Sequence, residues 1–318
     1  MRIINLDQIK VVLPGIDLMQ EIESGFSAYS AGRAVVPPVG ELILREPPGE
    51  VHIKYGYITG DDYYVVKIAS GFYENSKLSL PAGNGLMLLF EQESGVPCAL
   101  LLDEGSLTNI RTAVAGAVAA KYLAPSGISA IGIFGTGCQA RLQLQYLQPV
   151  TDCREVVVWG RDQEKLDTYT SDMSRRGYSV TATLNQEEVL RNCNLIVTTT
   201  PATEPVLSWL DDIKHGVHIT AVGSDTKHKQ ELDFATMRRA DRVVADSISQ
   251  CLLRGEIHQA LKNGIIQQSE ITELGDLING DVPGRISDDQ VTVADLTGVA
   301  VQDIQIAKAV FDSVLNNT

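Results

Sequence analysis

The order of apolar and polar positions changes character along the chain. Residues 1–30 predict a short strand and then an amphipathic helix in which Ile16, Met19, Ile22, Phe26 and Tyr29 recur at helical spacing. From Val35 to about Leu102 the pattern is that of strands: ELILR, VHIKYGYI, YYVVKIAS, GLMLLFEQ and CALLL. They are separated by Pro47-Pro48-Gly49, Gly60-Asp61-Asp62, Pro81-Ala82-Gly83 and Gly95-Val96-Pro97. Strands joined by turns predict an antiparallel or mixed sheet. Residues 103–121 predict a helix, capped by Ser106 or Thr108, whose run AVAGAVAA lets another element approach closely; Ala124-Pro125-Ser126-Gly127 then breaks the chain.

Past that break the apolar runs lose their alternation. Ile128–Phe134 reads as a strand buried on both faces, as in a parallel sheet, and Val156–Trp159 follows at the spacing of a βαβ unit. Helices near Gln163–Arg176 and Asn185–Arg191 alternate with strands near Tyr178–Ala182, Leu195–Thr199, His218–Val222 and Arg242–Val244, and helices continue to about Leu277. The final VTVADLTGVAVQDIQIAKAVFDSVL pairs a short strand with an amphipathic helix whose face is Val299, Ile304, Ala307, Val310 and Phe311. The expected division is therefore 1–124 with 291–318 as one domain and 125–290 as the other.

Chemistry enters at the turn after the first buried strand. Gly135-Thr136-Gly137-Cys138-Gln139-Ala140 is a G-x-G-x-x-A sequence between a strand and a helix. The first glycine permits the tight turn, the second lets backbone N–H groups approach a pyrophosphate, and the small third residue lets the helix pack close. A dinucleotide site of the Rossmann type is expected there. NAD-binding units usually end the second strand in Asp or Glu, which accepts from the ribose 2′-OH; here the chain reads Trp159-Gly160-Arg161. A glycine leaves room for the extra phosphate of NADPH and an arginine can grip it, so NADPH is favoured, with NADH as the alternative through Asp162.

Val222-Gly223-Ser224-Asp225 follows a strand at its carboxyl end, where open α/β sheets keep their ligands, and makes Asp225 either the reacting carboxylate or a turn residue. In the earlier sheet, Lys54 and Lys67 lie among strand-core residues. Such a lysine either runs its stem to the edge or is held to bind an anion. Arg111, with Thr112, opens a helix, where a cation is unfavourable for the dipole unless it faces an anion.

Composition narrows the partners. With 318 residues and 44% apolar content the chain can bury two cores, and a formal charge of −14 argues against nucleic acid or an anionic membrane. The broken start MRIINLDQIKVVLP does not read as a signal peptide, no apolar run nears the ~18 residues of a membrane span, and a cytoplasmic protein is expected. Five scattered cysteines without C-x-x-C read as reduced thiols, and His52, His215, His218, His228 and His258 show no metal-ligand spacing, so no metal site is expected.

With these pieces in place the chain resembles the ornithine cyclodeaminase/μ-crystallin family over nearly its whole length. The resemblance rests on Leu107-Thr108-Asn109-Ile110-Arg111-Thr112-Ala113 with Ala119, Lys121, Leu123, Ala124 and Pro125. It continues in the glycine turn, Ala221-Val222-Gly223-Ser224-Asp225 with Glu231-Leu232-Asp233, Gly255-Glu256-Ile257, and Thr297 to Asp303. It implies an α/β substrate-binding and dimerisation domain plus a Rossmann-type NAD(P)-binding domain, a homodimer, and hydride transfer to or from an amino acid or its imine. It maps Lys67 onto the substrate-carboxylate lysine, Arg111 onto an arginine near substrate and cofactor, and Asp225 onto the acid/base carboxylate.

The site expected from turn and resemblance together has Asp225 and Lys67 as catalytic groups and Lys54, Lys67, Arg111, Thr297 and Gly298 on the substrate. On the cofactor it places Arg111, Thr112, Gly135, Gly137, Cys138, Gln139, Ala140, Gly160, Arg161, Thr200, Val222, Gly223 and Ser224. Where relatives carry an early arginine and a Met-Pro pair, this chain reads Val51-His52-Ile53-Lys54-Tyr55, so Lys54 stands where the Met would be, with Arg45 as a further cation. A cyclodeaminase oxidises and re-reduces one bound NAD and has no need of NADPH. The strings HIKYGYI and KIASGFYEN look most like the Δ1-pyrroline-2-carboxylate reductase branch, which makes L-proline from a cyclic imino acid. The alternatives are ornithine cyclodeaminase, an alanine-type dehydrogenase, and a non-catalytic NADPH-binding crystallin-like protein.

Overall fold

The computed structural model describes residues 1–213 and 216–317; His215 thus lies outside the described residues. Its contacts divide the chain into Met1–Arg111 with Val299–Thr318, and Thr112–Gly298.

The first unit holds a mixed sheet of β1 (Arg2–Asn5), β2 (Ala34–Val35), β3 (Gly40–Arg45), β4 (Pro48–Ile58), β5 (Tyr63–Gly71), β6 (Gly83–Glu91) and β7 (Pro97–Leu102). The order is β1-β7-β6-β5-β4-β2, with β3 also on β4. Strands β4 to β7 form an antiparallel meander, with a 3-10 helix (Tyr73–Leu78) in the β5–β6 connection, and β1 joins β7 in parallel. Alternation gives one face Ile4, Ile58, Val65, Met87, Leu89, Ala99 and Leu101, all buried. Helix α1 (Leu6–Val12) follows β1; α2 (Leu18–Ser30) and the C-terminal helix (Ala300–Asn316) supply the rest of this core. In α2 the buried stripe is Leu18, Ile22, Gly25, Phe26 and Ala28, not the Met19 and Tyr29 expected. The helix starts at Leu18, with Asp17 accepting from the Gln20 amide, and that start fixes which residues face inward.

The opposite face of this sheet is apolar too. Register lines up Tyr55, Val66, Leu88, Leu100 and Ile3 across five strands, and Tyr57, Tyr64 and Phe90 beside them. Tyr55 is 40% exposed and Ile3 61%, and the rings of Tyr64 and Phe90 stack at 4.8 Å.

The second unit is built on an eight-stranded sheet, parallel throughout. Its strands are β8 (Ile131–Phe134), β9 (Glu155–Trp159), β10 (Ser179–Thr183), β11 (Leu195–Thr198), β12 (Val217–Ala221), β13 (Arg242–Ala245), β14 (Ile271–Glu273) and β15 (Val291–Asp295). Their order is β10-β9-β8-β11-β12-β15-β13-β14, so the chain runs outward from β8 in one direction, then returns to β11 and runs in the other. The turn after β8 sits at that reversal, where such sheets hold ligands.

Two expected boundaries move. The strand 291–295, assigned to the first domain on sequence, lies between β12 and β13; every residue in it is buried, as a central parallel strand requires. The division near residue 124 falls instead inside helix α3 (Ser106–Leu123), because the small residues of its second half pack in the second unit: a Cβ on Gly116 would strike the Gln143 side chain. At the start of α3 the Asp103 carboxylate accepts from the Leu107 amide at 2.8 Å. Among the described residues no helix is long and apolar enough to cross a membrane, and no group of three or more His, Cys, Asp or Glu side chains is placed to hold a metal ion.

Candidate active site

In the first unit, register places Lys54 of β4 directly opposite Lys67 of β5. Both sit on the helix-covered face, 8% and 1% exposed. Like charges opposed across a strand pair destabilise a sheet, and a buried ammonium loses hydration worth several kcal/mol. The C-terminal helix supplies the counter-charge. Asp303, 1% exposed, receives Lys67 Nζ at 3.1 Å and Arg111 Nε at 2.8 Å, while Arg111 Nη1 donates to Gln302 at 2.9 Å.

Burial pulls the Lys67 ammonium down to about 7, aided by Arg111 and Lys54 and opposed by Asp303. Burial also pushes the Asp303 carboxyl up, but Arg111, Lys67 and Lys54 outweigh it and leave it below the ordinary range. Asp103, buried as well, is pushed up by desolvation against its Leu107 hydrogen bond. Three cations therefore meet two carboxylates, one of them raised, in a place with almost no solvent. Basic side chains gathered in this way can hold a carboxylate through charge-assisted hydrogen bonds. Arg45, the further cation considered, is exposed at the end of β3.

Asp303 was not singled out from sequence, although a signal existed. Residues 303, 307, 310 and 314 form one stripe of the last helix, and a carboxylate on an otherwise apolar stripe needs a buried partner.

In the second unit the glycine turn has the form its sequence requires. Gly135 adopts φ +112°, where a side chain would be strained and would meet Thr199. A Cβ on Gly137 would meet nothing, so the protein itself leaves the space above that residue open. Arg141 Nη1 donates to the carbonyls of Thr136 (2.5 Å) and Gly137 (3.2 Å) while Asp172 holds its other edge. Because the peptide is planar and trans, gripping these carbonyls aims the N–H groups of Gly137 and Cys138 the opposite way.

Helix α4 (Cys138–Tyr146) starts there with no side-chain cap at Gly137, whereas α5 (Gln163–Ser174), α6 (Gln186–Asn192), α7 (Phe234–Arg239) and α8 (Ile248–Cys251) are capped by Asp162, Asn185, Asp233 and Ser247. The uncapped amides, positive helix end and open space fit a pyrophosphate. Cys138 is exposed and Gln139 half-buried at this helix start, while Ala140 is fully buried, as close packing on the strand demands. At the tip of β9, Gly160 is buried against Thr136 and Leu166, and Arg161 is exposed. Asp162 accepts from the Lys165 amide at 3.1 Å, so its carboxylate already serves α5.

Asp225, after β12, is half-buried and pairs with Lys229 at 2.6 Å; Ser224 closes the same loop by donating to the Lys229 carbonyl. Four other expected groups are engaged within the protein. Thr200 donates its amide and hydroxyl to Glu231. Thr297 donates its hydroxyl, and Gly298 its amide, to Asp246. Thr112, beside Arg111, accepts from Gln143 through its carbonyl.

The profile of the ornithine cyclodeaminase/mu-crystallin family matches residues 4–318. The chain belongs to that family. Family relatives include an uncharacterised cyclodeaminase of Sinorhizobium fredii, 40% identical over 98% of this chain and 95% of its own. An iminosuccinate reductase of Paracoccus denitrificans is 33% identical over 92% of this chain and 90% of its own, and a Δ1-pyrroline-2-carboxylate reductase of Bacillus cereus 33% over 90% and 88%. Among solved family structures, an archaeal alanine dehydrogenase dimer with bound NAD superposes with TM-score 0.90 at 31% identity, covering 99% of this chain and 96% of that one. The Thermococcus litoralis Δ1-pyrroline-2-carboxylate reductase with NADH and L-proline gives 0.92 at 27%, covering 100% and 98%. The family expectation from sequence thus holds, as does the mixed α/β fold with a Rossmann-like sheet. These relatives are reductases, a dehydrogenase and a cyclodeaminase, which support an oxidoreductase, and the alanine dehydrogenase and Thermococcus litoralis reductase structures carry NAD and NADH.

Proposed function

We propose that this protein reduces a cyclic imino acid with NADPH, and that the substrate is Δ1-pyrroline-2-carboxylate, giving L-proline. The observation that carries the reading is the pair Lys54–Lys67, buried face to face with Arg111 and tied by Asp303. The cluster takes the substrate carboxylate through charge-assisted hydrogen bonds, which are strong where water is scarce. Holding the carboxylate orients the C=N carbon, and such positioning is worth up to roughly 7–11 kcal/mol of barrier. Bound dinucleotide supplies the hydride. Asp225 holds or delivers the proton that the imine nitrogen needs, so one hydride and one proton convert C=N to CH–NH.

NADPH rather than NADH is read from Arg161, exposed beside Gly160, and from the commitment of Asp162 to the α5 cap. The NAD(H) carried by related structures makes NADH the second cofactor to assay. The partly exposed apolar rows through Tyr55, Val66 and Leu88 fit a second copy of this chain, giving a homodimer. A cyclodeaminase reaction is the second reading, favoured by the name of the 40% identical relative.

The test follows NADPH and NADH loss with Δ1-pyrroline-2-carboxylate beside piperideine-2-carboxylate, iminosuccinate, pyruvate plus ammonia, and ornithine. Fastest NADPH loss with the five-membered ring supports the reading. Ammonia release from ornithine on catalytic NAD, without NADPH loss on any imine, replaces it with the cyclodeaminase.

A further inference from the structure

The second unit buries a carboxylate that no step above uses. Glu231 is 0% exposed and accepts four hydrogen bonds. Thr200 gives its amide (2.5 Å) and hydroxyl (2.8 Å) to Oε1, and the Gly223 amide and Thr198 hydroxyl each reach Oε2 at 2.8 Å. Thr198 and Thr200 lie at the carboxyl end of β11, and Gly223 at that of β12. The two ends come so close that a Cβ on Gly223 would lie 2.2 Å from the Thr200 carbonyl. The backbone of Glu231 is itself fixed, because the buried Glu256 carboxylate accepts from the amides of Glu231 (2.7 Å) and Leu232 (3.2 Å).

We propose that Glu231 is a positioning residue for hydride transfer: its carboxylate clamps the ends of β11 and β12 together and so fixes the segment Val222–Asp225 that presents the acid. The inference rests on the dinucleotide reading above. Each carboxylate oxygen receives one backbone amide, so a glutamine in either flip turns its NH₂ toward a backbone N–H that has no other use for it. Glu231→Gln thus keeps size and loses the clamp, since one strand end must move. Both side chains are fully buried; desolvation pushes the Glu231 carboxyl up, against its four donors, and burial together with the charge of Glu231 pushes Glu256 to about 8.

The experiment compares wild type, Glu231→Gln and Thr198→Val, which loses one donor but keeps both backbone anchors. It reads NADPH affinity by fluorescence titration, kcat and KM, melting temperature, and the primary isotope effect with NADPH deuterated at the transferred position. The expected result for Glu231→Gln is about tenfold weaker NADPH binding, kcat lower by about 10²-fold and a larger isotope effect, since a 1 Å misplacement costs about that much. Thr198→Val shifts the same quantities the same way by less. A merely structural glutamate lowers melting temperature alone, and unchanged affinity and isotope effect in correctly folded Glu231→Gln overturn the proposal. Should that variant fail to fold, Thr198→Val decides by the same two readouts. If wild type reduces no imino acid, the functional reading fails on its own, while the change in NADPH affinity still judges Glu231.

Discussion

Around Lys67 the first unit buries three cations against two carboxylates, whereas around Glu231 the second buries carboxylates that are satisfied by backbone amides and hydroxyls. The Glu231 arrangement is complete: each oxygen has its donors, and a ligand would add nothing. The Lys67 cluster gathers three basic side chains in the dry, with two lysines opposed across a ladder. A buried network whose every member is satisfied specifies shape, whereas basic groups gathered in the dry suit an anionic ligand.

That contrast can be broken in order of expected effect. Asp225→Ala removes the proposed proton donor, and kcat should fall by about 10²–10⁴-fold with dinucleotide affinity nearly intact; an unchanged turnover removes Asp225 from the chemistry. Lys67→Met should raise KM by about 10²-fold or more, since truncating one partner of a buried charged pair costs about 2–5 kcal/mol; wild-type KM and kcat would mean the clamp is misplaced. Arg161→Ala, at an exposed tip, should weaken NADPH by about 10-fold and spare NADH, given about 1.5–3 kcal/mol for a hydrogen bond to a charged group. Equal losses for both would refute the NADPH reading.

The smallest effect near neutrality is set by pH. Lys67 must be protonated to hold a carboxylate, and its ammonium lies at about 7, so kcat/KM should fall about tenfold per unit above that pH, while Lys67→Met flattens the limb. Stability runs the other way. The folded state loses this proton near 7 and the unfolded chain only near the ordinary lysine value, so between them the unfolded state binds more protons and the fold gains stability as pH rises.

The sequence made the second unit easier to read than the first. Parallel strands covered on both faces become unbroken apolar runs, so β8, β9, β11 and β12 and the turn at Gly135 could be placed by eye. Lys67 was visible because it interrupts such a run. Its opposition to Lys54 was also within reach, since the two are equidistant from the Gly60-Asp61 turn. Asp303 is the harder case: it meets Arg111 across 192 residues of chain, and no local periodicity encodes so distant a partner. Glu231 and Glu256 stood in the quoted blocks without any signal that their carboxylates receive backbone amides, because hydrogen bonds to the main chain leave no complementary side chain to find.

The central claim is that the Lys67 cluster reads a single carboxylate. Inhibition of imine reduction by L-proline and by L-prolinamide, below pH 7, tests it without altering the ring. The account predicts that wild type binds proline about 10²-fold better and that the ratio collapses to near one in Lys67→Met; equal inhibition of wild type by acid and amide would contradict it.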